Sequence, residues 1–397
     1  MNKIAITAFT VTTALGAGLS ANREALKQSR SGLQKNAFAG IDFETYVGQV
    51  EGVDDVVLTS GLSDFDCRNN RLAELGLQQD GLIEAIEELK MRYGAERIGL
   101  FIGTSTSGIQ QTEMAYASRS SDSGELPDWF NYTTSHDVFS SVDYLSKRLG
   151  LRGPAQIIST ACSSSSRVFA AAARHMQAGL CDAAVVGGID SLCQMTLYGF
   201  NSLQLVSSEP CRPADAERNG INIGEAAGYA VLEKETQGAE HYLLGYGESS
   251  DAWHMSSPHP EGAGAVQAML QALTRAGLNA SQVDYINLHG TATPANDLAE
   301  DKAMMTVFGG KSPCSSTKGF TGHTLGAAGI VGAVYSCIAI DENLLPVSLN
   351  TQLVDERIQS NIVLDSTSSE KPSLDIVMSN SLGFGGSNAS LIIGRPL

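Results

Sequence analysis

Short runs of β-branched and apolar residues alternate along this chain with longer stretches whose apolar positions recur every three or four residues. IAITAF (4–9) reads as a buried strand, and LSANREALKQ predicts a helix starting at Ser20 as N-cap. RLAELGLQQDGLIEAIEELKMRYG (71–94) predicts one amphipathic helix, and ERIGLFIGTSTSG a strand that runs into a small-residue loop. AQIIST is a short strand ahead of Cys162, RVFAAAARHMQAG the helix behind it, and DAAVVGGID and GYAVLEKE two further strands. From about residue 240 the pattern recurs. HYLLGYGESSD and VDYINLHGTATP end strands in polar loops, GAVQAMLQALTRAGL and GAAGIVGAVYSCIAI are helices, and DIVMSNSLGFGGSNASLIIG is a glycine-interrupted hairpin. Strand and helix alternating in this way predict an α/β fold. The recurrence predicts two similar halves, 1–238 and 239–397, joined near residues 235–240.

Composition narrows the function. Of 397 residues, 43% are hydrophobic and 17% charged, as in an ordinary globular protein. A formal net charge of −17 argues against nucleic acid as a partner, because phosphate contacts need basic surface. The seven cysteines contain no CxxC pair, which argues against a zinc ribbon or a disulfide framework and fits a reducing cytoplasm. The N-terminal stretch has a signal peptide's apolar character, but one early charge and interrupting threonines favour a strand. No run is expected to span a membrane.

Four loops rich in small residues follow or end strands: STACSSSS with Cys162, NLHGTATPANDLAE with His289, SSTKGFTGHTLGAAG with Lys318 and His323, and SNSLGFGGSNAS with Phe384. Strand-end loops of α/β proteins commonly build active sites. A thiol at a helix N-terminus is a candidate acyl-accepting nucleophile. The backbone N–H groups of Cys162 and Phe384 are candidate oxyanion donors, and two imidazoles aimed at one oxygen would stabilise an enolate. Lys318, five residues before His323, can orient that ring or add positive charge. Each feature has a plainer reading as well. A buried cysteine is usually core, a strand-end histidine usually structural, GFGG a turn, and Lys318 a surface charge.

In combination these segments resemble the β-ketoacyl-(acyl-carrier-protein) synthases. TACSSS, CRPADAERNGINIGEAAGYAVLE, SSDAWHMSSP, HGTATPAND, STKGFTGHTLGAAG and GFGGSNAS stand in the family's order across nearly the whole chain. The resemblance implies a thiolase-like fold of two similar halves in five αβαβα layers, and a Cys-His-His site. It implies that Cys162 carries an acyl chain as a thioester. His289 and His323 then assist decarboxylation of malonyl-carrier protein and stabilise the enolate, with Lys318 and Glu300 as further members of the site. Phe384 matches a gating residue, and Thr291 and Thr293 match threonines that bond the phosphopantetheine arm. Thr106 and His254 are expected to line the acyl pocket and the channel. Arg68 and Arg71 are expected either to dock an acidic acyl carrier protein or to be a solvated helix face. The resemblance requires no metal or nicotinamide, only substrates carried on phosphopantetheine. It implies a dimer, either a homodimer or a heterodimer with a cysteine-less chain-length-factor-like homologue. Departures such as TAFTVTTALG, a short 31–55 stretch and polar Thr106 point towards a specialised type II polyketide or aryl-polyene pathway as much as to fatty-acid synthesis. The competing readings are a thiolase, a non-catalytic chain-length-factor-like subunit and a cysteine hydrolase. The intact Cys162, both histidines, Lys318 and a cysteine-free GFGGSNAS loop weigh against all three. A metal at His254 and His259 lacks further ligands.

Overall fold

The apolar runs pair into one mixed sheet of eleven strands in the computed structural model, which describes residues 4–36, 38, 40–234, 236, 238–365 and 373–396. The strands are β1 (Ile4–Thr12), β2 (Ile98–Gly103), β3 (Ala155–Ile158), β4 (Ala183–Asp190), β5 (Ala226–Lys234), β6 (His241–Ser250), β7 (Tyr285–Asn287), β8 (Pro313–Ser315), β9 (Asn361–Ile362), β10 (Ile376–Gly383) and β11 (Ser387–Gly394). Their spatial order is β9-β8-β7-β10-β11-β6-β1-β5-β4-β2-β3. Numbered within its own half, the N-terminal set reads 3-2-4-5-1 from its outer edge inwards. The C-terminal set reads the same, with β9 added outside. The two sets meet where β1 pairs antiparallel with β6, Ile4 opposite Leu243 and Ile6 opposite His241. This duplicated order supports the two-half reading. Of the expected junction, residues 235 and 237 lie outside the described residues, as does Met1–Lys3 of the opening stretch.

Five layers follow from which faces are apolar. The helices Arg68–Leu77, Leu82–Tyr93 and Ser140–Leu149 cover one outer face, packing Leu72, Ile86 and Leu145 against Leu100 and Val185. Ala263–Ala276 and Pro294–Phe308 cover the other, with Met269 and Met304 against Ile286 and Met378. Between them lie Ser164–Gln177 and Ala328–Glu342, both in the largest apolar cluster. From Gly329 to Ile340 the latter helix is buried at every position, so it is apolar on all sides. Contrary to expectation, the window Leu325–Glu342 is long and apolar enough to cross a membrane; 83% of it is buried inside the fold.

The predicted 71–94 helix is two. Asp80 (φ 55°) and Gly81 (φ 71°) take left-handed conformations that break it between Leu77 and Leu82. Asp80 then serves the first helix, Gly18–Lys27. Its carboxylate accepts the Leu19 N–H at 2.8 Å and the Thr10 hydroxyl at 2.7 Å. Ser20 lies inside that helix and is not its N-cap. The cap comes from sixty residues away, out of reach of a local pattern.

The two central helices approach closely because their contact residues are small. Ile330 donates its N–H to Ser165 Oγ at 2.9 Å, and Ser166 Oγ meets Ser381 Oγ at 2.8 Å. A Cβ on Gly329 would lie 2.2 Å from the Ser166 nitrogen, and one on Gly188 would lie 2.5 Å from Ser165 Cβ. Gly329→Ala is therefore expected to overpack the crossing, lowering stability by about 1–3 kcal/mol in chemical denaturation.

Arg68, expected at a docking surface, is instead internal. Its guanidinium spans Glu225 (Nε–Oε2 2.9 Å, Nη2–Oε1 2.6 Å) and Asp54 (2.8 Å), with a side chain 4% exposed. Glu225 also accepts the N–H groups of Val50 and Leu192, so the pair ties three segments together. Arg71 is neutralised by Asp66 at 2.5 Å and borders a groove that also holds Asp54. The two arginines do not form a basic patch. Arg68→Ala, which strands a buried carboxylate, is expected to cost about 3–5 kcal/mol in unfolding free energy. Arg71→Ala should cost no more than about 1 kcal/mol by the same measurement.

Candidate active site

The sheet order brings the four small-residue loops to one place. β3 ends at Ile158, and Ala161 takes a positive φ (52°) that turns the chain sharply before Cys162. Ser163 then opens the helix Ser164–Gln177. The hairpin of β10 and β11 brings Gly383 so close that a Cβ there would meet Thr160 O at 2.9 Å and Cys162 N at 3.3 Å. That approach brings the Phe384 N–H to the Cys162 side chain, where it and the Cys162 N–H favour the thiolate. Cys162 itself is buried.

From the other half, His323 Nε2 lies 3.0 Å from Cys162 Sγ. Its Nδ1 accepts the Leu325 N–H at 3.1 Å, so in the neutral ring the proton sits on Nε2, facing the sulfur. The backbone around His323 is held to the segment before β5: its N–H donates to Asn222 O at 2.7 Å, and its carbonyl accepts the Gly224 N–H at 3.0 Å. The His289 ring stands edge-on to His323, centroids 5.2 Å apart. Its Nδ1 is buried without a hydrogen-bond partner among the described residues. Glu300 fixes the His289 backbone, accepting the N–H groups of His289 and Gly290 at 2.8 Å each. The Lys318 ammonium donates to the His289 carbonyl, so it braces the His289 loop and does not orient His323 directly.

Burial and one cation set the electrostatics. Burial drives both imidazoles well below their ordinary pKa and Lys318's charge adds to it, so both are neutral donors at physiological pH. Burial lowers Lys318 as well, against the pull of Glu300 and Cys162 upwards. Glu300 is raised to about 7 by burial, opposed by its two backbone donors. The Cys162 thiol is pushed up to about 11 by burial, opposed by the Phe384 N–H and Lys318. The helix N-terminus therefore does not hold a thiolate in the free protein; desolvation wins. Cys162, His289 and His323 also place one potential metal ligand atom each within 4.8 Å of one another. The Lys318 charge that lowers both imidazoles opposes a further cation there.

Cys162, His289 and His323 form the floor of a cleft of about 90 Å³ that opens to solvent. Its walls include Thr291 and Thr293, whose hydroxyls bond each other at 2.9 Å, and Phe384, which packs on Phe200 at 5.4 Å between centroids. Of the expected site residues, Cys162, His289, His323, Lys318, Glu300, Phe384, Thr291 and Thr293 are thus assembled together. His254 is not in the wall: it is exposed, its Nδ1 accepting the Ser256 N–H, and Ser256–Pro258 line the cleft instead. Thr106 does not line the cleft either; it is buried, and its hydroxyl donates to Asp190 at 3.1 Å. Ser163–Ser166 are fully buried, Ser165 and Ser166 against Gly103, Gly188 and Gly329. Phe200, Asp251 and Asn388 line the cleft without having been singled out. So was Asp190 overlooked, although a charged residue ending eight buried strand positions is a legible signal.

The chain matches the N-terminal domain of the beta-ketoacyl synthases over residues 1–238 and their C-terminal domain over 242–352. It is 32% identical to 3-oxoacyl-[acyl-carrier-protein] synthase 2 of Vibrio cholerae, with 99% of each chain covered. It is 35% identical to the enzyme of the same name from Rhizobium meliloti, covering 75% of this chain and 74% of that one. Among solved structures, it superposes with a TM-score of 0.90 on a ketosynthase (ApeO) from Xenorhabdus doucetiae, determined in complex with its chain length factor (ApeC). That match is 36% identical and covers 100% of this chain and 98% of that one. An ishigamide ketosynthase/chain length factor superposes at 0.89 with 25% identity, covering both chains fully.

A thiol this high in pKa has a reactivity limited by its thiolate fraction. Alkylation of Cys162 by iodoacetamide in the substrate-free protein is expected to rise about tenfold per pH unit from pH 7 to 9. Lys318→Met should lower the rate throughout that range. A plateau below pH 8 in the wild-type profile would instead reveal a preformed thiolate.

Proposed function

This chain belongs to the β-ketoacyl synthase family, and from that premise we propose how its residues divide the work of a 3-oxoacyl-[acyl-carrier-protein] synthase. The observation that carries the assignment is the pairing of Cys162 Sγ with His323 Nε2 at 3.0 Å, with the His289 ring beside them at the floor of the cleft.

Cys162 sulfur attacks the thioester carbonyl of an acyl chain delivered on phosphopantetheine. The thiol proton leaves with the departing pantetheine thiol. Because the proton of His323 already sits on Nε2, that ring serves as a donor and not as the base for this step. A malonyl thioester then enters with its arm along Thr291 and Thr293. Its C–CO₂ bond breaks, and the electron pair moves into an enolate whose oxygen accepts hydrogen bonds from His289 and His323. Neutral imidazoles lose no proton here, and they are preorganised in a site dried by burial. The enolate carbon attacks the acyl-Cys162 carbonyl, whose oxyanion accepts the N–H groups of Cys162 and Phe384. Collapse breaks the C–S bond, leaves the β-ketoacyl thioester, and returns the sulfur to a thiol by uptake of one proton. Holding both reactants on tethers in one cleft turns carbon–carbon bond formation into a local event. Every step uses this chain's own groups, with no further cofactor.

The partner in this reading is an acyl carrier protein. The second partner is a chain-length-factor-like homologue, as in the ketosynthase complexes that this chain resembles in structure. Met114, Tyr116, Trp129, Tyr132 and Phe139, all exposed and all within residues 109–139, offer apolar contacts to such a neighbour. That resemblance favours a polyketide or aryl-polyene pathway over general fatty-acid synthesis. The seven buried free thiols fit a reducing cytoplasm.

Incubation with an acyl-carrier protein thioester is expected to add the acyl mass to the wild-type chain and not to Cys162→Ala, by intact mass. His289→Ala and His323→Ala should still take the acyl group yet lose condensation with malonyl-carrier protein by about 10²–10³-fold. Condensation retained by either histidine variant would refute its role at the enolate.

A further inference from the structure

We propose that Asp190, at the end of β4, is a positioning residue that sets the tautomer and aim of His323 from the opposite half of the molecule; this rests on the function assigned above. Its carboxylate is fully buried and faces donors only. Oδ1 accepts the Thr104 hydroxyl at 2.6 Å, the N–H groups of Ser105 and Thr106 at 2.7 and 3.0 Å, and the Thr106 hydroxyl. Oδ2 accepts the Ser105 hydroxyl and, from the C-terminal half, the Gly326 N–H at 2.5 Å.

The last bond does the positioning. Leu325 has φ 52°, a left-handed conformation that costs a leucine free energy and persists only when its surroundings impose it. In that conformation its N–H points back to His323 Nδ1. Asp190 pins the very next peptide through Gly326. A Cβ at Gly326 would come within 2.8 Å of both Asp190 Oδ2 and Ser105 N, so no other residue fits between them. Packing of Leu325 with Leu192 and Ile223 holds the side chain; of the peptide it shares with Gly326, the carbonyl accepts the Ala328 N–H from the same turn, and the N–H is tied to the N-terminal half by Asp190. Asp190 thereby keeps the His323 proton on Nε2, towards Cys162. Its grip on 104–106 makes the two halves share one anchor.

Asparagine has the same shape but cannot accept on both sides. Whichever way its amide faces, an NH₂ meets donors from 104–106 or the N–H of Gly326. In Asp190→Asn, kcat for condensation is expected to fall about 10–100-fold while KM for the malonyl thioester changes less than about threefold. In the substrate-free protein labelled with ¹⁵N-histidine, the His323 resonances, assigned against His323→Asn, should show one Nε2–H tautomer in the wild type. The variant should show a mixture. An unchanged tautomer in folded Asp190→Asn overturns the proposal, whether or not kcat falls. Should that variant not fold, Thr104→Val with Ser105→Ala loosens the same carboxylate and should move the tautomer in the same direction; no movement overturns the proposal equally. The tautomer is read without substrate. A wild-type protein that fails to condense therefore counts against the assigned function alone.

Discussion

The site depends on one crossing, where the helix after Cys162 passes under the helix after His323. Ser165 and Ser166 on one side and Gly329 and Ile330 on the other are in near backbone contact. The closeness is possible because Gly329 has no side chain and Ser165 and Ser166 only a hydroxymethyl each where the backbones meet. Cys162 and His323 stand just before the N-termini of these helices, so the distance between helices becomes the distance between thiol and imidazole. The rest of the fold supports that crossing. The β1–β6 seam joins the halves, the outer helices dry both faces, and the GFGG hairpin brings the Phe384 N–H to the Cys162 side chain.

Burial then decides the chemistry. In water a cysteine and two histidines would titrate near neutrality. Inside this floor the thiol is raised and the imidazoles are lowered, so all three are neutral at rest. Lys318 and Asp190, which stand one step behind, act through the backbone. Lys318 bonds the His289 carbonyl, and Asp190 bonds the Gly326 N–H. The groups that meet substrate are neutral donors, and Lys318 and Asp190 hold the backbone around them in place. Such a site stabilises charge that forms during reaction without having to reorganise for it.

Much of this was legible from residue order alone. The α/β alternation followed from periodicity, and the duplicated halves from its recurrence. The loops carrying Cys162, His289, Lys318, His323 and Phe384 followed from small residues at strand ends. Each failure has a physical cause. The 71–94 helix looks continuous because apolar spacing does not register two left-handed residues at 80 and 81. Arg68 looks like surface because nothing local reveals Glu225, more than 150 residues on, as its partner. The SSDAWHMSSP segment does border the cleft, but through Asp251 and Ser256–Pro258, because the chain turns His254 outwards.

The sequence by itself determined the elements, the repeat and the inventory of reactive groups. These are set by local spacing and by which side chains are present, and a family resemblance reads that same order. Only the tertiary structure decided their states. Whether Cys162 rests as thiol or thiolate, which nitrogen of His323 carries the proton, and which carbonyl Lys318 braces depend on desolvation and on partners tens to hundreds of residues away. Those quantities belong to distances in space, and no local pattern encodes them.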